Sequence, residues 1–362
     1  MPRMTIALLS AASSIHTIRW ANAFVERGHV VHLISLHAPG EGLSDLVTVH
    51  RLPFMGGLGY LLNGPKLASL LTRLDPDVVN AHYATGYGTI ARWSGKVPLV
   101  LNVWGSDVFE FPDTSFLHRK WLLRNLRSAD HLVSTSEFMA RRTASLGAKL
   151  PPLTVVPFGV DTTTFCPSKA PRSEGPVVIG TVKTLLPKYG IDTLIEAFAL
   201  LLAHGVAPDV RLRILGGGPE EATLKGLAAR RNVADRVDFI GPVPHDRVAD
   251  ELRAMDVYAA LSRADSESFG VAVIEASACG LPVVVSDAGG LPEVVRNGIT
   301  GAVVRREAPE EAAAALLSLI RDAAKRRQWG DAGRAHVIEQ YEWNACVDRM
   351  ERVLQAVSGR KA

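Results

Sequence analysis

Residues 262–286 read Ser262-Arg-Ala-Asp-Ser-Glu-Ser-Phe-Gly-Val-Ala-Val-Ile-Glu-Ala-Ser-Ala-Cys-Gly-Leu-Pro-Val-Val-Val-Ser286. The apolar run just before this stretch, at 257–261, predicts a buried strand, and Val283–Ser286 predicts a second one. Between the two strands lie a polar loop and a helix that begins near Phe269-Gly270 and stops at Gly280, since glycine is typical of helix ends. Strand, loop, helix and strand in this order form the repeating unit of a parallel α/β sheet.

The same alternation of short β-branched runs and longer helical patterns continues along the chain. It predicts one Rossmann-like domain over residues 1–166 and a second over residues 177–342. Residues 167–176 predict a linker, because proline and glycine recur there without an apolar period. We therefore expect an α/β fold of two doubly wound parallel sheets that face a central cleft, where open sheets of this kind bind ligands.

The composition excludes several other classes of protein. The chain has 362 residues, of which 47% are hydrophobic and 21% are charged, as in globular proteins. Its cysteines, Cys166, Cys279 and Cys346, lack the spacing of a disulfide framework or a zinc site. No apolar run approaches the roughly 18 residues that span a membrane. We therefore expect a cytoplasmic protein, free or at the inner face of the cell membrane.

The net charge of +3 is divided unevenly along the chain. Residues 1–168 carry 15 Lys and Arg against 11 Asp and Glu, whereas residues 169–362 carry 25 against 26. A basic first half fits an anionic ligand or a lipid surface, although ordinary scatter produces the same balance. A charge this small does not indicate a nucleic-acid partner. The helix predicted at Phe116–Arg127 carries four cations and fits either a membrane-surface helix or a solvated face.

The helix that begins near Phe269 predicts an anion-binding site. Gly270 lets the backbone approach a ligand closely. The free amides of the first turn would point along the helix axis, which suits a diphosphate. These amides belong to Phe269, Gly270, Val271 and Ala272. Glu267 lies before the helix and Glu275 lies eight residues later on it, so the two carboxylates can reach different parts of one extended ligand.

This pattern resembles the signature of the family 4 retaining glycosyltransferases, the glycosyl transferases group 1. It consists of a Glu, seven residues and a second Glu, with Phe-Gly after the first and Ala-x-Ala-x-Gly-x-Pro-Val after the second. Members of this family have the GT-B fold and use nucleotide-diphospho-sugars. The resemblance implies that Glu267 contacts the transferred sugar and Glu275 binds the ribose. It also implies that the amides from Phe269 to Ala272 hold sugar and phosphate.

A second match lies just after the first predicted strand of the second domain. Lys183 and Lys188 have the spacing of the family's Arg and Lys. The resemblance implies that these cations neutralise the diphosphate as it leaves, while solvated lysines are the alternative. The chain departs from the family pattern in two ways, with Lys in place of Arg at 183 and Tyr189 inserted before Gly190. Lysine offers a point charge rather than a fork, so the phosphate geometry is expected to differ.

Two further loops resemble the borders of the family's nucleotide pocket. Leu215-Gly-Gly-Gly-Pro219 is similar to the family's Gly-x-Gly-Pro turn, which implies that Gly216 lines the donor site. Gly241-Pro-Val-Pro-His245 resembles the loop that holds the base, which implies that Val243 touches it. Each loop fits a plain turn equally well. Among donors, a UDP-sugar is slightly favoured over a GDP-sugar.

The match in the first domain is weaker. Ser14, His16 and Arg19 follow the first predicted strand, where relatives place the loop that faces the donor phosphates and the acceptor. A structural first helix turn is the alternative for this segment. In this family the last helix often crosses back onto the first domain, so residues after about 343 are expected to belong to it.

Asn102-Val-Trp-Gly-Ser-Asp107 resembles the family's His-Gly-x-Asp element. Trp104 stands where many relatives have a His that contacts the transferred sugar. Asp107 follows the pattern, which implies that it binds an acceptor or orients the loop. His82 resembles part of the family's His-Ala-His segment, and we interpret it as a packed histidine at a strand end.

Together these residues predict a retaining, metal-independent glycosyltransferase, a hexosyltransferase that needs no cofactor. It would move a sugar from a nucleotide-diphospho-sugar to a hydroxyl in polysaccharide, lipid-linked glycan or glycolipid synthesis. No nucleophile is obvious, so same-face attack is expected, with the leaving phosphate accepting the proton. Two alternatives stay open. One is a degenerate GT-B binding or scaffold subunit, which Trp104 favours, and the other is a further GT-B enzyme such as a sugar-nucleotide epimerase.

Overall fold

The computed structural model describes residues 2–168, 175–205 and 209–359. The chain divides into two compact units, one formed by Met1–Phe158 together with Ala345–Ala362 and the other by Gly159–Asn344. Most of the linker predicted at residues 167–176 lies outside the described residues.

The first unit is built on a parallel sheet of seven strands. In chain order these are β1 (Thr5–Leu9), β2 (Val30–Ser35), β3 (Thr48–Arg51), β4 (Val78–His82), β5 (Leu99–Val103), β6 (His131–Ser134) and β7 (Leu153–Val155). They lie side by side in the order β3-β2-β1-β4-β5-β6-β7, so the direction of winding reverses between β1 and β4. Every residue of β4 and β5 is buried, as expected for central strands that helices cover on both faces.

The helices of the first unit pack through apolar faces that recur at helical spacing. They are α1 (Ile15–Glu26), α2 (Gly56–Leu62), α3 (Gly64–Leu74), α4 (Gly86–Ala91), α5 (Ser106–Phe109), α6 (Phe111–Thr114), α7 (Phe116–Leu126) and α8 (Glu137–Ser145). On α1 the side chains of Trp20 and Ala21 are buried four and three residues before the buried Phe24. The hydroxyl of Ser115 caps α7 by accepting from the N–H of His118.

The second unit contains a parallel sheet of six strands. They are β8 (Val177–Val182), β9 (Val210–Leu215), β10 (Val237–Gly241), β11 (Val257–Ala260), β12 (Val283–Ser286) and β13 (Gly301–Val304). Their order is β10-β9-β8-β11-β12-β13, so winding reverses between β8 and β11. Ligands of open α/β sheets bind outside the carboxyl ends of the strands at such a reversal.

The helices of the second unit are α9 (Ile191–Ala203), α10 (Glu221–Arg230), α11 (His245–Arg253), α12 (Val271–Ala278), α13 (Pro309–Arg321) and α14 (Ala323–Tyr341). The chain ends with α15 (Trp343–Ser358), which belongs to the first unit from Ala345 onward. There the buried carboxylate of Glu351 accepts from Arg27 Nη1 at 2.8 Å and lies 2.7 Å from His29 Nε2. The prediction of two doubly wound parallel α/β sheets is confirmed.

Within the described ranges, no helix combines the length and the hydropathy that crossing a membrane requires.

Candidate active site

Two neighbouring strands of the second sheet bring a cation and a carboxylate together. Because β8 and β11 are adjacent and parallel, the residues that follow them meet at one edge of the sheet. Lys183 Nζ donates to Glu267 Oε2 at 2.6 Å, and Ser262 Oγ donates to the same oxygen at 3.3 Å. The side chains of Lys183 and Glu267 are only 12% and 9% exposed. The ion pair is therefore largely shielded from solvent.

The charge of Lys183 is stabilised by its partner. Burial alone lowers the pKa of Lys183, but the Glu267 carboxylate, together with nearby Tyr258 and Tyr189, outweighs burial and the net pKa is raised. The hydrogen bond to Glu267 uses one of the three ammonium protons, so the same group can also donate to a second anion. Beside the pair, burial raises the pKa of Tyr258 to about 12, and its hydroxyl stays protonated at neutral pH.

Both predicted phosphate-binding lysines lie close to the ring of Tyr189. Lys183 Nζ is 4.9 Å and Lys188 Nζ is 5.5 Å from the centroid of the Tyr189 ring. These distances are within the range of cation–π attraction. The N–H of Arg263 donates to the carbonyl of Lys188 at 2.9 Å, which ties the Lys188 turn to the loop that follows β11. The residue inserted relative to the family pattern thus contacts both cations.

The first backbone amides of α12 lie ahead of its helical hydrogen bonds. Gly270 precedes the helix with a φ of +98°, and a Cβ at this position would come within 2.8 Å of the Leu291 side chain. The first helical hydrogen bonds run to the carbonyl of Gly270 from Val273 and Ile274, at 3.0 and 3.2 Å. The backbone amides of Val271 and Ala272 precede these bonds and lie at the positive end of the helix dipole.

Phe269 contributes only its backbone to this terminus. Its side chain is buried and packs edge-on against Tyr341, with ring centroids 5.6 Å apart. This packing anchors the loop between Glu267 and α12 in the core of the second unit. The ring of Phe269 is therefore part of the core and does not take part in the predicted donor contact.

A pair of glycines supports the loop that carries Glu267. The N–H of Gly290 donates to the carbonyl of Glu267 at 2.9 Å, and the N–H of Gly289 donates to Asp265 Oδ1 at 3.2 Å. Gly289 has a φ of +56°, and a Cβ there would come within 2.1 Å of the Glu267 carbonyl oxygen. The backbone around Glu267 is therefore held by a turn that only glycine fits.

Glu275 has a partner that the sequence analysis did not single out. Its side chain is buried on α12, and Oε1 lies 3.2 Å from Nε2 of the half-exposed His245. The His245 ring also packs edge-on against Phe165, with centroids 5.8 Å apart. The only sequence signal for this contact is that His245 ends the predicted base-binding loop, in which Val243 is half-buried.

Gly216 lies beside Lys183, on the side of β8 away from β11. There the N–H of Lys183 donates to the carbonyl of Leu215, the last residue of β9, and Gly216 follows directly.

Asp107 belongs to the first unit and is fully buried. Its carboxylate accepts from the N–H groups of Ala84 and Gly105 at 2.8 Å each and from that of Trp104 at 3.1 Å. Burial raises the pKa of Asp107, and these backbone bonds oppose the rise. Of the two roles implied by the sequence, contact with an acceptor and orientation of the loop, this enclosed geometry fits the second.

Trp104 is part of an aromatic cluster in the first unit. Its ring centroid lies 4.7 Å from that of His82 and 5.4 Å from that of Phe158, and His16 stacks on Phe158 at 4.2 Å. Burial, together with nearby His16, lowers the pKa of His82 to about 3. Neither ring nitrogen of His82 has a hydrogen-bond partner in the part of the chain that the structure describes. The neutral, packed state expected for His82 agrees with this environment.

The remaining predicted residues of the first unit lie at the start of α1. Ser14 precedes the helix without capping it through its side chain, and Arg19 is half-buried one turn further on. The structure thus brings Lys183, Lys188 and Glu267 together, while Ser14, His16, Arg19 and Trp104 lie in the other unit. Within the described ranges, no group of three or more His, Cys, Asp or Glu side chains is placed to hold a metal ion.

Comparison with known proteins identifies a family that the chain resembles along most of its length. The sequence model described as "Glycosyl transferases group 1" matches residues 164–336, and that described as "Glycosyl transferase 4-like" matches residues 5–136. The GDP-mannose-dependent alpha-(1-6)-phosphatidylinositol monomannoside mannosyltransferase of Mycolicibacterium smegmatis is 31% identical over 324 residues. This match covers 83% of the chain and 82% of the relative.

A second relative is also a glycosyltransferase, and a solved structure has the same fold as this chain. The GDP-mannose-dependent monoacylated alpha-(1-6)-phosphatidylinositol monomannoside mannosyltransferase of Corynebacterium glutamicum is 32% identical over 63% of the chain, and the match spans 62% of that relative's length. The Anabaena protein HepE in complex with UDP superposes with a TM-score of 0.83 at 20% identity, over 98% of this chain and all of that one. This likeness shows the GT-B fold. The chain therefore belongs to the family 4-type glycosyltransferases, the glycosyl transferases group 1.

Proposed function

We propose that the protein transfers a hexose from a nucleotide-diphospho-sugar to a hydroxyl of a glycolipid, with retention of the anomeric configuration. The observation that carries this proposal is the shielded Lys183–Glu267 pair in the same unit as the amide end of α12. A donor at this site would place its diphosphate among positive groups and its sugar near a carboxylate. Both the cation and the carboxylate are held before any ligand arrives.

The donor that we propose is GDP-mannose. The two relatives described above are GDP-mannose-dependent and act on phosphatidylinositol monomannosides. HepE was solved with UDP, but its likeness to this chain extends only to the fold. The preference for a uridine nucleotide expected from the sequence therefore has no support from the relatives, and a glycolipid acceptor is favoured over a polysaccharide.

The residues of the second unit take separate roles in donor binding. Lys183, Lys188 and the amides of Val271 and Ala272 hold the diphosphate. Glu275, kept in place by His245, binds the ribose hydroxyls. Glu267 positions the transferred sugar. These positive groups supply the charge that a divalent cation supplies in other enzymes, so we propose a metal-independent reaction.

In the proposed reaction, the bond from the anomeric carbon to the diphosphate oxygen breaks. The acceptor oxygen bonds to the same carbon from the same face. The electron pair of the broken bond goes to the diphosphate, which also takes the proton of the acceptor hydroxyl. Negative charge therefore grows on the diphosphate in the transition state, and fixed cations stabilise that charge more than the ground state.

The test uses the purified full chain, GDP-mannose and phosphatidylinositol mannoside acceptors. We expect GDP at about 100 times its Kd to stabilise the protein by about 2.7 kcal/mol. Glu267→Gln should still bind GDP but transfer mannose at least about tenfold more slowly than the parent. Glu310→Gln, which changes an exposed glutamate on α13, is the matched control. Equal transfer by Glu267→Gln and the parent, or an inverted product by NMR, would contradict the proposal.

A catalytically degenerate binding subunit is the second candidate. The observation that favours it is Trp104, which places an indole, packed against His82, where an imidazole would contact the sugar. Such a subunit would bind GDP-mannose yet neither transfer nor hydrolyse it. An assay of the purified protein without acceptor distinguishes the transferase from the binding subunit, because slow hydrolysis of the donor indicates an enzyme.

A further inference from the structure

Helix α7 presents large apolar side chains to solvent. Phe116 and Leu117, in its first turn, are 76% and 72% exposed, and Trp121 in the next turn is 40% exposed. These side chains line a groove of about 940 Å³. Exposed apolar residues that occur singly are ordinary, but a contiguous group of them on one helix indicates a binding surface.

The same groove is lined by cations without carboxylates. Five of its lining residues are basic and none is acidic, and the five are Arg92, Arg119, Lys120, Arg124 and Arg127. Within the described ranges none of them forms an ion pair with Asp or Glu, whereas Arg142 on the following helix pairs with Asp113 at 2.7 Å. Burial and the nearby Arg124 lower the pKa of Arg92. Like charges are thus crowded together here without compensation from the protein.

Some of these cations are held in place by the backbone. Arg119 donates to the carbonyl of Leu146 at 2.9 Å, and Arg127 donates to the carbonyl of Ala148 at 3.1 Å. Trp121 Nε1 donates to Thr89 Oγ1 at 2.8 Å, which fixes the indole at the edge of the groove. The surface is therefore an ordered feature of the first unit.

Exposed apolar residues continue from α7 to α2 in the same unit. Of the fourteen large hydrophobic side chains that are exposed in the described ranges, nine lie between Phe54 and Trp121. On α2 they include Leu58, Leu61 and Leu62. Trp93, next to Arg92, packs on the backbone at Gly64, where α3 begins after α2. The apolar surface therefore extends from α7 toward α2.

We propose that this surface, the exposed face of α7 with Arg92 and the exposed side chains of α2, docks onto a bilayer that contains anionic phospholipid. Side chains such as Phe, Leu and Trp enter the boundary between headgroups and acyl chains, while Lys and Arg contact lipid phosphates. A nucleic-acid duplex would contact the cations through its phosphates, but it offers no apolar layer that Phe116 and Leu117 could enter. The surface lies in the first unit, whereas the proposed donor site lies in the second, so docking does not depend on the proposed reaction.

The test is co-sedimentation of the full chain with vesicles. One set is pure phosphatidylcholine and the other is equal parts phosphatidylcholine and phosphatidylglycerol. We expect binding to the second set only, with affinity that falls as salt is added. Phe116→Ser with Leu117→Ser, and separately Lys120→Glu with Arg124→Glu, should each weaken binding by about tenfold or more. All four side chains are exposed, so the fold should tolerate both changes.

The control combines Ile338→Ser with Arg327→Glu, an exposed apolar and an exposed basic residue of the second unit. This variant should bind anionic vesicles as the parent does. Circular dichroism and thermal unfolding of each variant, compared with the parent, test whether its fold is intact. The proposal is overturned if the parent does not bind anionic vesicles, or if the Phe116/Leu117 variant binds them with the affinity of the parent. It is also overturned if only the charge-reversal variant loses vesicle binding and duplex RNA binds the parent as tightly as the vesicles do.

Discussion

Lys183 Nζ lies 2.6 Å from Glu267 Oε2, a residue 84 positions further along the chain. The contact exists because β8 and β11 are neighbours at the reversal of the second sheet. It joins the cation proposed to hold the diphosphate to the carboxylate proposed to hold the sugar. Substitutions at two residues in such close contact are not additive, so the effect of changing Lys183 is expected to depend on whether Glu267 is present.

Replacing Lys183 should affect catalysis more than donor affinity. Lys183→Met removes a cation that opposes charge developing on the leaving diphosphate, so we expect kcat to fall by about tenfold or more. Lys225→Met is the control, since Lys225 forms an exposed pair with Glu221 at 2.7 Å. Steady-state kinetics of both variants provide the measurement, and a parental kcat for Lys183→Met would remove this lysine from the mechanism.

The Lys183–Glu267 pair also predicts how stability depends on pH. The pKa of Lys183 in the folded protein is raised above the reference value of 10.5. The stabilisation by protonated Lys183 is therefore fully present below the unfolded pKa and is lost as the pH rises through the folded pKa. The difference in unfolding free energy between the parent and Lys183→Met should stay constant from about pH 7 to 9 and shrink only above about 10.5. A decline that begins near neutral pH would contradict this expectation.

Local sequence patterns predicted the elements around the site, but not the contacts between them. The predicted strand at 257–261 is β11, and the helix predicted from Phe269 to Gly280 contains α12. Both follow from apolar periodicity and glycine positions, which are properties of neighbouring residues. The pairing of His245 with Glu275 spans 30 residues and depends on how α11 and α12 pack, which periodicity does not encode.

Asp107 illustrates the same limit in the first unit. Its position after β5 was visible in the sequence, and so was its resemblance to a family element. Its enclosure was not visible, because one of its three N–H donors comes from Ala84, on a loop 23 residues earlier. Burial of a carboxylate is decided by such distant partners. The sequence therefore left two roles open, and the enclosed position of Asp107 favours loop orientation.

The turn beneath Glu267 predicts a contrast between two glycines. Gly289 and Gly298 both have positive φ, +56° and +79°, so alanine at either position costs roughly 1–3 kcal/mol of backbone strain. Only at Gly289 would the new Cβ also meet the Glu267 carbonyl, whereas nothing lies within 4 Å of it at Gly298. Gly289→Ala should therefore lower kcat by about tenfold or more, and Gly298→Ala should lower only Tm. Equal kcat values for the two variants would show that the turn does not position Glu267.

Tyr189 is expected to act as a positioning residue for the lysines. Tyr189→Phe retains the ring face and should keep kcat near the parent's value. Tyr189→Leu removes cation–π contacts of about 0.5–1 kcal/mol each, so kcat should fall by roughly fivefold with a smaller change in KM for the donor. An equal loss in the Phe and Leu variants would assign the effect to the hydroxyl and not to the ring.

The ion pairs that hold α15 in the first unit predict a large effect on stability. Glu351 is 2% exposed and contacts both Arg27 and His29, and His29 Nδ1 in turn accepts from the N–H of Met4 at 3.1 Å. Glu351→Ala leaves the buried His29 without its side-chain partner, whereas the quarter-exposed Arg27 keeps its pair with Asp348, so the change should cost about 1–3 kcal/mol. Glu339→Ala breaks an exposed pair with Arg296 and should cost less than about 1 kcal/mol. Urea unfolding and hydrogen exchange of the amides of α15 measure both variants. Similar protection of α15 in the two would mean that apolar packing alone, through residues such as Leu354, holds this helix.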